Sequence, residues 1–318
     1  MLNRRLIRIK AFKVLFAAVG SDESVSRATK ELLLSCEKTK ELYYFLLNIS
    51  GALVNTAQDK IDAGLRKFRP SQQESNPNMK FVNNRFTAIV DADPEFGKYC
   101  QKNGLTWSEY DVFVKKVFNS IAASDYYQEY MNSSENSLEE DCALFTHIFE
   151  QEFEDNDSLD AILEDMSAYW IDDVAYVLNV IIANIAVTAR KQKIVHPSTF
   201  LKEEDKEFAV ELLEESIGRF ESYKQLISDN VSNWETDRLV ATDIALMVMG
   251  ITEAVCFPNI PIKVTINEYV EIAKYYSTPN SRVFVNGLLD KIIQKKVEAK
   301  EIVKSGRGLA DGTAETDK

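Results

Sequence analysis

The 318-residue chain has only two histidines, His147 and His196, and four scattered cysteines, Cys36, Cys100, Cys142 and Cys256. No C-x2-C pair and no even framework in a short chain is present, so the thiols read as reduced and mostly buried, in a cytoplasmic protein. His147 with Glu150 makes an H-x2-E that lacks the second histidine of a zinc motif, and it reads as part of a solvated face. His196, beside Pro197, reads as a loop residue. There is no G-x-x-x-x-G-K-[ST], no G-x-G-x-x-G after a strand and no G-x-S-x-G, which removes the usual phosphate-cradling and acyl-transfer machinery. No catalysis, no cofactor and no metal site are expected.

Long apolar runs are also missing. Residues 174–189 are interrupted by Asn179 and Asn184, and 239–257 by Asp243 and Glu253, so both read as buried core helices and no membrane association is expected. The apolar run Val14–Gly20 is short and follows Lys10 and Lys13, which argues against a signal or transit segment.

Cations are missing from one long stretch. Between Lys116 and Arg190 there is no Lys or Arg but there are sixteen Asp and Glu, so the formal charge of −13 leaves the remainder at +3. The first thirteen residues are the reverse, with Arg4, Arg5, Arg8, Lys10 and Lys13 and no acid. The negative total argues against nucleic acid only as an average over unlike pieces.

What is present is helical periodicity nearly throughout, with no alternating runs to compete, and the fold class is all-α, without a sheet. Residues 4–19 place Ile7, Ala11, Val14, Leu15 and Ala18 on one stripe and Ile9, Phe12, Phe16 and Val19 on another, leaving Leu6, Lys10, Lys13 and Ala17 outward. Two helices are expected over 26–68, then a polar loop over 69–78. Thr106 with Glu109 reads as a capping box for 107–122, and Ser137 as the start of an acidic helix to 154. Further helices are expected at 170–190, 203–229, 235–255, 263–276 and 279–303, with Pro279 as a first helical residue and a disordered tail over 305–318.

The last of these helices contains Asn286-Gly287, normally turn residues, inside an apolar helical pattern. Glycine there costs about 1 kcal/mol relative to alanine. Close approach of a neighbouring helix and access of a ligand to Asn286 both account for it.

Two blocks carry a resemblance. Pro261-Ile262-Lys263-Val264-Thr265-Ile266-Asn267-Glu268-Tyr269-Val270-Glu271-Ile272-Ala273-Lys274 and Phe284-Val285-Asn286-Gly287-Leu288-Leu289-Asp290-Lys291 resemble the V-x-I-N-E-x-x-E-L-A-K and F-V-N-G-x-L-D-K blocks of the bacterial transcription antitermination factor NusB family. Asp243 and Glu253, ten apart, match the family's acidic helix, and Arg4-Arg5-x-x-Arg8 with Phe12 and Leu15-Phe16 is similar to its basic first helix. The resemblance divides the chain into a first core helix at 1–20, an inserted helical region at 21–200 that is acidic in its second half, a core at 201–304 and the tail. Ile244 and Val248 stand where the family has arginines, and Val283 where a basic residue commonly precedes the phenylalanine.

The resemblance implies an all-α protein of packed helical bundles that binds single-stranded boxA-type leader RNA of ribosomal RNA operons. Its implied partners are ribosomal protein NusE and the RNA polymerase antitermination complex. By position, Arg4, Arg5 and Arg8 are the expected phosphate contacts, extended by Lys10 and Lys13. Arg282, Phe284, Asn286 and Lys291 are expected on the RNA surface of the last helix, and Asp243 on the face that meets NusE. The first and last helices are expected to be neighbours. Two other readings stay open: a protein-interaction scaffold of the transcription or ribosome-assembly machinery, and a non-catalytic helper of an RNA-modifying enzyme. Monomer and homodimer are both compatible with the family.

Overall fold

A computed structural model describes residues 1–21, 24–231 and 240–312. The fold is all-α: the only β pairing among the described residues is an isolated bridge between Leu2 and Phe200. The chain forms two compact units, one from Leu2–Cys36 with the chain from Phe200 onward, the other from Met1 with Glu37–Thr199. They are called the terminal and the central unit below.

The terminal unit contains α1 (Arg4–Ser21), the first part of α2 (Val25–Leu47) and, after the central unit, α12 (Glu203–Gly218), α13 (Phe220–Asn230), α14 (Ala241–Cys256), α15 (Ile262–Tyr276) and α16 (Ser281–Glu298). Helix α14 is its axis. Every residue from Ala245 to Ala254 is buried, and α1, α12, α13, α15 and α16 all pack on it. A helix apolar all round has to be enclosed in this way to hide its surface from water. Its C-terminal carbonyls are closed by the chain that follows α16: Lys304 Nζ donates to the carbonyls of Ala254 (2.8 Å) and Phe257 (3.0 Å), a cation on the negative end of the helix. Gly308 then runs so close to Pro258 that a Cβ would lie 2.0 Å from its carbonyl oxygen.

The central unit holds the rest of α2 and α3 (Ile49–Leu65), α4 (Gln72–Ser75), α5 (Arg85–Asp91), α6 (Pro94–Asn103), α7 (Asp111–Ala123), α8 (Asp125–Asn132), α9 (Leu138–Glu152), α10 (Asp157–Met166) and α11 (Val174–Lys191). Short polar caps start these short helices. Side chains of Ser71, Asn84, Asp93, Ser124, Ser137 and Asn156 each accept from backbone N–H groups of the first turn. The core is aromatic, with Phe45 stacked on Trp107 at 4.2 Å and Tyr44 on Tyr99 at 4.0 Å. Helix α11 is long and apolar enough to cross a membrane by length and composition, but it packs against α9 and buries Val177, Leu178, Ile181 and Ile185 in this core.

Several expectations are corrected. Thr106 does not cap a helix: its hydroxyl accepts from the Ser108 N–H (3.2 Å), a 3₁₀ turn occupies Ser108–Tyr110, and α7 begins only at Asp111. The stretch expected as one helix over 203–229 divides at Arg219, and the polar loop over 69–78 contains the capped turn α4. Pro279 lies in the turn before α16 rather than in its first position. The tail expected to be disordered from residue 305 holds a 3₁₀ helix at Gly306–Gly312, because Ser305 N–H bonds the Pro258 carbonyl (3.0 Å) and anchors it. Residues 313–318 of that tail, and the 235–239 start expected for the α14 helix, fall outside the described residues.

The glycine that packing requires is not the one the helical pattern singles out. Gly287 is exposed, and a Cβ added there would meet no atom within 4 Å, so helix packing does not require it. A Cβ at Gly250, in contrast, would meet Leu289 Cδ2 at 2.8 Å and Tyr269 at 3.3 Å. Gly250 is what lets α14 approach α16. Gly250→Ala is therefore expected to destabilise the protein by about 1–3 kcal/mol through overpacking, outweighing alanine's helix preference. Gly287→Ala is expected to stabilise it by about 0.5–1 kcal/mol. Urea unfolding of the two variants checks the pair, which should shift in opposite directions.

Candidate nucleic-acid interface

The basic start of α1 separates into inward and outward residues because 4 and 8 share one helix face while 5 and 13 lie on others. Arg8 is 3% exposed. Its guanidinium makes a two-pronged pair with Glu253 of α14, Nε to Oε2 at 2.7 Å and Nη2 to Oε1 at 2.8 Å. Glu253, fully buried, also accepts from Thr265 Oγ1 (2.9 Å) and from the Tyr269 hydroxyl (3.1 Å), both on α15. Burial favours the neutral guanidine, but the Glu253 charge and hydrogen bonds outweigh it and hold Arg8 protonated beyond its ordinary range. Arg4, one turn earlier, pairs with Asp205 of α12 at 3.0 Å, and both guanidinium groups lie over the Phe208 ring, at 4.9 and 5.3 Å.

Arg5 lies nearer solvent and shares Glu268 with Arg8, whose Nη1 is 3.6 Å from that carboxylate. Arg5 forks onto Glu268 of α15 (2.9 and 2.7 Å) while its side chain stays 52% exposed. Half-burial pushes the Glu268 carboxyl up, but the Arg5 hydrogen bond and the charges of Arg8 and Arg5 prevail and hold it below the usual carboxylate range. Lys13, exposed, lies 5.4 Å over the ring of Tyr276 at the end of α15, and Phe12 meets that ring edge-on at 5.7 Å. Tyr275 beside it is 82% exposed and Phe16 44%. Glu271 of α15 is held low by its hydrogen bond to Lys274 and lies in the fields of both Arg282 and Arg5. Helix α15 thus joins the cations of α1 to those of α16, and the expected side-by-side pairing of first and last helices is mediated by it.

On α16, Arg282 and Asn286 are exposed, Phe284 is half-buried, and Lys291 is exposed and donates to the Asn230 carbonyl (3.0 Å). Asp243 is corrected from a partner-facing residue to an internal one, 1% exposed. It accepts from Ser277 Oγ (2.5 Å) and Ser281 Oγ (2.8 Å), with Thr278 bonded to Ser281 as well. This clamp sets the corner between α15 and α16, where Tyr275, Tyr276 and Arg282 emerge.

Two more corrections concern the phosphate contacts. Arg8 is spent on Glu253, and Lys10, expected outward from the helical period, is 3% exposed with Nζ 3.3 Å from Ser35 Oγ of α2. The lane fails there because α2 covers it, a long-range event that helical period does not encode. Arg5, Lys13, Arg282, Phe284, Asn286 and Lys291 stay accessible in part or whole, and Arg4 half so. Tyr275, Tyr276 and Phe208 were missed. The aromatic pair follows directly on the recognised block at Lys274 and was legible, whereas Phe208 has no motif around it. No group of three or more His, Cys, Asp or Glu able to hold a metal occurs among the described residues, and His147 is an exposed partner of Glu150 at 3.7 Å.

A helical bundle with a buried ion pair at its centre, and with cations beside rings on α1, α15 and α16, defines an all-α protein that gathers positive charge and aromatic surface on these helices. The NusB family model matches residues 188–294, which takes in α12 to α15 and most of α16. Transcription antitermination protein NusB of Salinibacter ruber is 39% identical over 104 residues, 33% of this chain and 65% of its own length. That of Methylacidiphilum infernorum is 42% identical over 94 residues, 30% of this chain and 66% of its own. That of Finegoldia magna is 32% identical over 99 residues, 31% and 72%. The chain belongs to the NusB family. It spans just under two thirds of the Salinibacter and Methylacidiphilum proteins, and no solved structure matches it.

Removing one partner of the Arg8–Glu253 pair strands a charge in the core, so Arg8→Met is expected to cost about 3–5 kcal/mol, and Arg8→Met/Glu253→Leu to recover much of it. Thermal unfolding checks this. Glu268, with its lowered value, supports folding above its unfolded value of 4.5 and loses that support as pH falls through its folded value. In Arg5→Leu the acid limb of the stability curve is expected to move to higher pH.

Proposed function

We propose that this chain is an RNA-binding antitermination factor that holds boxA-type single-stranded leader RNA together with ribosomal protein NusE, within the RNA polymerase antitermination complex. The observation that carries the reading is the joining, through α15, of exposed cations Arg5, Lys13 and Arg282 with the rings of Tyr275 and Tyr276 and with Phe284. Single-stranded RNA is held by this combination: cations track the phosphates and rings stack on splayed bases. The Salinibacter ruber and Methylacidiphilum infernorum relatives are transcription antitermination proteins, which supports the same reading.

The phosphate contacts are Arg5, Lys13, Arg282 and Lys291, with Arg4 at the edge. Arg8, Lys10 and Asp243 serve the fold beneath them. In this reading residues 37–187 are an addition to the family core, and their acidic second half takes no part in holding the RNA, whose phosphates its charge would repel.

Arg5→Ala/Lys13→Ala/Arg282→Ala is expected to weaken binding of a boxA-like oligonucleotide and to lower the log–log salt slope by about 2, at about 0.7 per lost phosphate contact. Phe284→Ala is expected to weaken binding at nearly unchanged slope. Fluorescence anisotropy against boxA-like and scrambled RNA, with and without NusE, reads both. Unchanged affinity and slope in the triple variant overturns the assignment, and NusE binding by a chain that ignores RNA favours the scaffold.

A further inference from the structure

The central unit carries 26 Asp and Glu against 15 Lys and Arg, yet three of those cations fall in the four residues Arg66-Lys67-Phe68-Arg69 that leave α3. Elsewhere in this unit four cations are matched to carboxylates, Lys80 to Glu140, Arg85 to Asp141, Lys115 to Asp111 and Lys38 to Glu41, and others meet neutral groups, Lys60 at Asn119 and Lys116 at Ser158. At this corner only Lys67 is matched, to Glu74 of α4, and no carboxylate bridges to Arg66 or Arg69 among the described residues. Cations are favoured at a helix C-terminus, which accounts for the charge of Arg66 and Lys67. It does not account for Phe68, which stands 96% exposed among them with the Arg69 guanidinium 5.9 Å over its ring, or for Leu65, 47% exposed.

A groove of about 350 Å³ adjoins this corner. Gly64 and Glu74 form its near edge, and Lys67 grips Glu74, so the basic corner and the groove are continuous. Phe118 and Tyr127 contribute its apolar floor, and Lys60, Gln73, Asn78 and Gln128 its polar rim. An apolar floor with a few amide and ammonium groups at the rim suits a flat heterocycle with hydrogen-bonding edges.

We infer that Arg66, Lys67, Phe68 and Arg69 with the adjoining groove form a second contact for single-stranded RNA, in the part of the chain outside the family match. The inference rests on the reading that this chain binds RNA. Phosphates meet Arg66, Lys67 and Arg69, one base stacks on Phe68 and a neighbouring base enters the groove. An acidic peptide would use the cations, but a base brings in one flat group both the face that Phe68 can stack on and the hydrogen-bonding edge that the amide rim can meet. The surrounding negative charge keeps the contact short, because a longer anionic track would be repelled.

The test uses the full chain and a 4-thiouridine-substituted RNA that extends about 20 nucleotides on either side of a boxA-like element, with anisotropy for affinity and crosslinking for position. Arg66→Ala/Lys67→Ala/Arg69→Ala is expected to weaken binding roughly tenfold and to lower the salt slope by about 2. Phe68→Ala is expected to weaken it at least about fivefold at unchanged slope, and crosslinks are expected in the peptide containing residues 65–69. All four side chains are exposed, so helicity and unfolding midpoint should stay at wild-type values. If both variants bind as wild type while Arg5→Ala/Lys13→Ala/Arg282→Ala binds weakly, this second contact is refuted and the family-core reading stands. Loss in the corner variants with wild-type behaviour of the other triple variant supports this contact and refutes that reading. Binding of an acidic peptide at residues 65–69 without any RNA crosslink there overturns the inference, and a wild-type chain that binds no RNA overturns both.

Discussion

The terminal unit depends on the pair between Arg8 and Glu253. A carboxylate with no exposed surface is tolerable only when its charge and its lone pairs are all answered, and Glu253 receives two donors from Arg8, one from Thr265 and one from Tyr269. That set spans α1, α14 and α15, so a single polar node fixes three helices at one rotation each. Helix rotation decides which cations of α1 face water. With Arg8 held inward, Arg5 and Lys13 are presented outward, where Glu268 and Tyr276 of α15 hold them in place.

A second polar clamp does similar work at the other end of α15. Asp243, at the first turn of α14, gathers Ser277 and Ser281 and so fixes the corner from which the exposed rings and Arg282 emerge. Both acids of α14 thus act from within, and the RNA surface proposed above is built over them. The same economy explains Gly250, whose missing side chain is the space into which Leu289 of α16 packs.

The fold class, the two helices before residue 68, the Ser137 start and the buried stripe of α1 were all legible, because periodicity and capping are local. What escaped was decided by contacts across long stretches of sequence. Lys10 looks outward on a helical wheel, but α2 returns over it. Arg8 and Asp243 look like surface contacts because a motif records which residues recur and not which way they face. Short helices such as α5, α6, α8 and α10 escaped because about two to three turns give too little period to read. Their caps, such as Asp93 before Pro94, were the available signal. The candidate surface was legible in its cations and Phe284, and incomplete in Tyr275 and Tyr276.

Arg8 orders the first helix from inside, and its neighbours on that helix are the ones proposed to meet the RNA. The most direct test of this division is the salt dependence of RNA affinity in Arg8→Met/Glu253→Leu, where the buried pair is replaced by apolar volume. The wild-type log–log slope is predicted, since Glu268 and Tyr276 still hold Arg5 and Lys13 outward and no phosphate contact is lost. A slope lowered by about 0.7 would show that Arg8 touches a phosphate and would contradict the division.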